Sequence, residues 1–76
     1  MQKSEIFINK GIAKLESKDY MNAIIEFNKA IMINSNDSVT YLGRGMAYKA
    51  QEKYSKAISD LNKTIEIDPN YVQYKQ

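Results

Sequence analysis

The chain contains no cysteine and no histidine. Without cysteine there is neither a disulfide framework nor a thiolate metal site, so nothing points to an oxidising compartment and a cytoplasmic location is the default expectation. With neither cysteine nor histidine, no Ser/His or Cys/His nucleophile pair can be assembled. The carboxylates Glu5, Glu16, Glu26, Asp60, Glu66 and Asp68 fall on polar faces of helical patterns or at their ends, where solvated acids are ordinary. Judged by the roles that catalysis requires, the chain is expected not to be an enzyme and to carry no cofactor. Asp37 and Asp68 lack the alternating acids and glycine of a calcium loop. Gly43 and Gly45 lie inside a helical pattern and precede no phosphate-cradling lysine or serine motif, so close helix packing is their better explanation. No segment approaches the roughly 20 apolar residues needed to span a bilayer, and the start, MQKSEIFINK, lacks the apolar run of a signal peptide. No membrane partner is expected.

Charge of one sign is also scarce. The net charge is +2, the first 37 residues balance, and no basic stripe of the kind that binds nucleic acid is present. Six tyrosines could stack bases, but Tyr20, Tyr41, Tyr48 and Tyr54 fall at helix-packing positions, which leaves Tyr71 and Tyr74 free. A nucleic-acid partner is therefore not expected. With 43% hydrophobic and 26% charged residues, the 76-residue chain has the composition of a soluble globular domain. A chain of this size buries only about 60% of the surface its unfolded form exposes, which leaves room for one small core.

The chain says the same thing twice. Gly11 and Gly45 stand 34 residues apart, and that offset also pairs Ala13 with Ala47, Tyr20 with Tyr54, Ala23 with Ala57 and Ile24 with Ile58. It continues through Asn28/Asn62, Lys29/Lys63, Ile31/Ile65, Ile33/Ile67 and Asn36/Asn70. A fixed period of this length means stacked copies of one supersecondary unit. Apolar residues recur at helical spacing from Ser4 to about Ser17, with Ser4 as the expected N-cap, and again through Ala23, Ile24, Phe27, Ala30 and Ile31. Lys18 and Asp19 form the intervening turn, and so short a connection returns the second helix antiparallel to the first. Asn34 to Asp37 break the pattern, and Asp37 or Ser38 can cap a third helix over about 39–51. A fourth helix is expected over about 55–67, with Ala57, Ile58, Leu61 and Ile65 inward, ending before Pro69.

Within each unit the small residues, Gly11 and Gly45 in the first helix and Ala23 and Ala57 in the second, permit close approach of the two helices. Phe7 and Tyr41 precede the glycines by one turn, and Phe27 and Leu61 follow the alanines by one. A leucine at Gly45 is expected to unfold such a domain. The pattern is an aromatic, a glycine, aromatics near the turn, an alanine, a large apolar residue, a further alanine and a closing proline, and the second copy supplies Tyr41, Gly45, Tyr48, Tyr54, Ala57, Leu61 and Pro69. The first copy has Phe7, Gly11, Tyr20, Ala23, Phe27 and Ala30. This pattern resembles the tetratricopeptide (TPR) repeat family over nearly the whole chain. The resemblance implies an all-α fold of tandem antiparallel helix-turn-helix repeats forming a short right-handed superhelical segment. The expected organisation is a single domain, 1–76, with repeats over about 4–37 and 38–71 and a C-terminal stub at 72–76. Departures from the pattern are Lys14 for Tyr48, Ser35 for Pro69, Thr64 for Ala30, and the basic residues Lys10 and Arg44 before the glycines. The basic pair is expected to snorkel, with stems on apolar neighbours and heads in water, and Lys14 to mark an end repeat.

The resemblance further implies a protein or peptide partner, held on the concave face that the first helix of each repeat lines. The positions it designates are Glu5, Ile8, Asn9, Ile12, Leu15 and Glu16, then Val39, Leu42, Gly43, Met46, Lys49 and Ala50. Of these, Ile8, Ile12, Leu15, Val39, Leu42 and Met46 form the expected apolar contact patch, and Asn9, Glu16 and Lys49 its polar margin. Ile8, Ile12 and Gly43 occupy the places where one subclass carries the Lys and Asn residues that clamp a chaperone's C-terminal carboxylate, which argues against that ligand. The alternative for the patch is that Ile8, Ile12, Leu42 and Met46 pack inside the domain, as helical apolar stripes commonly do. A second functional alternative is self-association, including a homodimer, or membership of a longer array, because stacked repeats need about three units for stability. Either Tyr71 and Tyr74 fold back over Ile58 and Ile65, or that face meets another molecule.

Overall fold

Four helices and the turns between them make up the computed structural model, which describes residues 3–70. They are α1 (Lys3–Glu16), α2 (Tyr20–Ile33), α3 (Ser38–Ala50) and α4 (Tyr54–Ile67). Helix α1 packs on α2, α3 on α4, and α3 also lies against both α1 and α2. Among the described residues α4 packs on α3 alone. The assembly is 30 × 30 × 18 Å, its short dimension matching two layers of helices at an interaxial spacing of about 8–10 Å. No described helix is long and apolar enough to cross a membrane.

The 34-residue repeat holds down to individual hydrogen bonds. After α1, the Lys18 N–H donates to the Leu15 carbonyl (3.0 Å) and Asp19 N–H to Lys14 (2.8 Å). After α3, Glu52 N–H donates to Lys49 (2.9 Å) and Lys53 N–H to Tyr48 (2.9 Å). Each is the paired closure of a Schellman turn, and Lys18 and Glu52 hold the left-handed position, at φ 66° and 62°, that glycine would occupy without strain. The turn after the second helix also recurs. Asn34 accepts from the Asn36 N–H (3.0 Å), and Asp68 accepts from Asn70 (3.2 Å), so an amide and a carboxylate build the same local turn.

Helix starts are less alike. Asp19 caps α2, accepting from the backbone N–H and side chain of Asn22, and Asp37 caps α3 through the Val39 N–H at 2.9 Å. Lys53 stands at the cap of α4 and supplies no side-chain bond. Ser4, expected as the first cap, instead lies one residue inside α1 and is buried. A serine hydroxyl can serve as a cap only from the residue preceding the helix.

Phe27 is the centre of the core. Its ring is fully buried between α1 and α3, and a Cβ built on Gly11 or on Gly43 would come within 2.6 or 2.5 Å of it. Ala23 and Ala47 complete this cluster, with Ile12, Leu15, Tyr20 and Ile24 packed around it. In the second repeat Gly45 lies against α4, its missing Cβ 3.2 Å from the Asp60 Cβ and 3.4 Å from the Ala57 carbonyl oxygen. The inward residues of α4 are Ala57, Asp60 and Thr64. Ile58 and Ile65, expected inward, are 58% and 37% exposed, because a helix packed on one neighbour cannot bury an apolar stripe that broad.

Candidate functional site

Helix α3 carries an apolar face that is open among the described residues. Val39, Leu42 and Met46 follow one another at three- and four-residue steps, which places them on one side of the helix, and Lys49 continues the line. The opposite side carries the buried residues Thr40, Tyr41, Gly43, Gly45 and Ala47 that fasten α3 to α2 and α4. Val39 is 49% and Met46 50% exposed, while Leu42 is half-buried.

The corresponding face of α1 is more closed. Ile8 is only 6% exposed and belongs to the core, so it is not an available contact. Ile12 and Leu15 are half-buried against the Phe27 cluster. Asn9 and Glu16 are exposed, as is Lys49. The difference from α3 follows from position in the stack. Helix α1 has α3 on its flank, whereas α3 has no helix beyond it among the described residues. Gly43, assigned to the groove, is a packing residue that makes room for Phe27.

A polar cluster the sequence did not disclose sits between the helices. Arg44 was expected to hold its head in water. It instead donates from Nε to Asp60 Oδ2 and from Nη2 to Asp60 Oδ1, both at 2.8 Å, and from Nη1 to Asn28 Oδ1 at 2.8 Å. The Tyr41 and Tyr48 rings each lie 5.7 Å from the guanidinium carbon. Asp60 is 4% exposed, not the solvated acid expected of a polar helical face. Its hydrogen bonds hold the Arg44 guanidinium in the charged form, raising its pKa above the ordinary value against the opposing effect of burial. One side chain of α3 thus reaches α2 and α4 together, through a fork geometry that lysine cannot reproduce. Arg44, Asp60, Tyr41, Lys63 and Glu66 border an open depression of about 340 Å³. All of Arg44's bonds in it are internal to the protein, which makes it a fastening between repeats.

Two further apolar surfaces are exposed. On α2, Met21, Ile25 and Met32 face outward, and their counterparts 34 residues later are Ser55, Ser59 and Glu66, so the repeat does not require them. On α4, Tyr54, Ile58 and Ile65 are exposed, and Tyr54 does not occupy the packed position expected of it. Tyr71 and Tyr74, the candidates to cover this face, lie outside the described residues. No group of three or more acidic residues among the described residues could hold a metal ion.

Comparison with known families gives the same periodicity. One family model described as Tetratricopeptide repeat matches residues 4–37, and a second with the same description matches residues 38–71. No curated protein and no solved structure matches the chain.

Proposed function

The chain belongs to the tetratricopeptide repeat family, whose repeats are generally protein–protein interaction modules, and from that premise we propose that it is a non-catalytic scaffold binding a peptide or partner helix along the α1/α3 face. The two repeats act in this as one unit. The observation that carries the reading is the open stripe of Val39, Leu42 and Met46 on α3, which Lys49 continues. Apolar anchors at helical spacing beside a polar margin suit a ligand that inserts a few large side chains.

Magnitudes restrict the ligand. Full burial of one such side chain is worth about 1.5–3 kcal/mol, so covering the exposed halves of Val39 and Met46 yields about 2 kcal/mol before association costs. That is far short of the roughly 8 kcal/mol of a micromolar complex, so a ligand of such affinity must also draw on Leu42, Lys49 or Glu16 and on apolar burial of its own. The test is selection of a displayed peptide library on the folded chain. Selected peptides carry apolar anchors and lose at least about tenfold in affinity for Val39→Glu and Met46→Glu, with Met32→Glu on the far side without effect. Ile12→Glu is unsuitable because Ile12 packs on the core. Binding indifferent to both α3 substitutions removes this reading.

A second reading, self-association, is favoured by one observation: Ile58 and Ile65 on α4 are exposed where Ile24 and Ile31, their equivalents on α2, are half-buried.

A further inference from the structure

We propose that the outer face of α4 receives α1 of a second copy of this chain, so that copies stack head to tail as α3 stacks on α2; this rests on the self-association reading and specifies its interface.

The internal repeat supplies the template. At the junction between repeats, α3 presents Thr40, Gly43 and Ala47 on one buried stripe, and α2 receives it with Tyr20, Ile24 and Phe27. Shifted by 34 residues, the receiving positions become Tyr54, Ile58 and Leu61 on α4, apolar again and with Tyr54 and Ile58 more than half exposed. Shifted the other way, the entering stripe becomes Ile6, Asn9 and Ala13 on α1, and all three are exposed. Both halves of the junction are therefore present and unused among the described residues.

The two halves also keep the order of a large apolar residue opposite a smaller partner and a cation opposite an amide. Phe27 needs a glycine opposite it, since a Cβ on Gly43 would stand 2.5 Å from its ring. At the intermolecular junction the smaller Leu61 stands where Phe27 does, which eases the need for a glycine opposite, and Asn9 occupies that place. Arg44 reaches across to the Asn28 side-chain oxygen, and the equivalents, Lys10 and Asn62, again place a cation opposite an amide oxygen. The contact joins two different surfaces, so it does not close at a dimer and adds copies as concentration rises.

Sedimentation of the full 76-residue chain from micromolar to near-millimolar concentration, with two variants, tests this. Ile6→Glu blocks the entering face and Ile58→Glu the receiving face, and both sites are exposed enough for the fold to survive, which circular dichroism checks. The wild-type mass rises beyond the dimer, each variant alone has its association constant lowered by at least about tenfold, and their equimolar mixture forms dimers and nothing larger. A wild-type monomer at every concentration, as when residues 71–76 cover their own α4, overturns both the proposal and the self-association reading. Association that Ile58→Glu abolishes but Ile6→Glu leaves intact keeps self-association and overturns the head-to-tail interface. A mixture of the variants that stays monomeric overturns it as well.

Discussion

Replacing Gly43 by alanine is the smallest change that tests how the two repeats are joined. The added Cβ would lie 2.5 Å from the Phe27 ring, about 1 Å inside ordinary contact, and the ring has little room to retreat because it also packs on Gly11, where a Cβ would likewise come within 2.6 Å of it. Overpacking of a rigid core costs about 1–3 kcal/mol. A contact as short as 2.5 Å places this change in the upper part of that range, about 2–3 kcal/mol, and alanine recovers about 1 kcal/mol through its better helix propensity, which leaves a net loss of about 1–2 kcal/mol. For a domain of this length that lowers Tm by about 5–15 °C. Thermal melts followed by circular dichroism, with urea titrations, measure it. The double variant Gly43→Ala/Phe27→Leu supplies the control: removing the ring tip makes room for the methyl group, so the second substitution costs less in the Gly43→Ala background than alone. A Gly43→Ala variant as stable as the wild type, or two substitutions whose effects simply add, would refute the packing of Phe27 between α1 and α3.

Other expectations follow from the same geometry. Arg44→Leu strands Asp60 in a nearly closed site and lowers stability by about 2–3 kcal/mol, a fully buried pair's loss discounted for the part of Arg44 that water reaches; urea midpoints unchanged in that variant would show the pair to be incidental. Lys18→Gly and Glu52→Gly each relieve a left-handed backbone and raise stability by up to about 1 kcal/mol, and a lowered melting temperature in either would contradict the turn assignment. The Asp19 carboxyl is held below its ordinary value of 3.8, first by the Asn22 side chain, against the opposing effect of desolvation, with the Asn22 backbone N–H and Lys14 lowering it further. Its folded-state pKa is the lower one, so its contribution is complete above the unfolded value and disappears as pH falls through the folded value. Asp19→Asn therefore flattens that part of the acid limb of the stability profile, and an unchanged limb would assign the dependence to other carboxylates.

The fold was legible because its determinants are local and repeated. Gly11 and Gly45, Ala23 and Ala57, and the aromatics Phe7 and Tyr41 stand at the same offset in the two copies, and the turn residues break the helical pattern where the helices end. What the pattern could not convey was which face of a helix has a neighbour. Ile8 and Met46 look alike as apolar residues of a first helix, yet Ile8 is buried and Met46 half open, since α1 is followed in the stack by another first helix and α3 by none among the described residues. Ile24 and Ile58 differ for the corresponding reason on the second helices. For Gly43 the sequence offered both a place in the groove, from the resemblance, and close helix packing, and the Phe27 ring against it identifies which partner it packs on. Arg44 and Asp60 were read one at a time as surface charges. Their pairing spans 16 residues and two helices, and the first repeat has no twin for it, Lys10 and Glu26 standing at the equivalent places without a mutual ion pair.

The most direct test of the central claim is a titration of selected peptides against the wild-type chain, Met46→Glu and Met32→Glu, followed residue by residue in amide spectra. The account predicts that shifts concentrate on Val39, Leu42, Met46 and Lys49 with the facing part of α1, and that Met46→Glu alone weakens binding at least about tenfold. Shifts confined to α2, or affinity that Met32→Glu abolishes and Met46→Glu leaves intact, would place the binding surface on the opposite side of the molecule and contradict it.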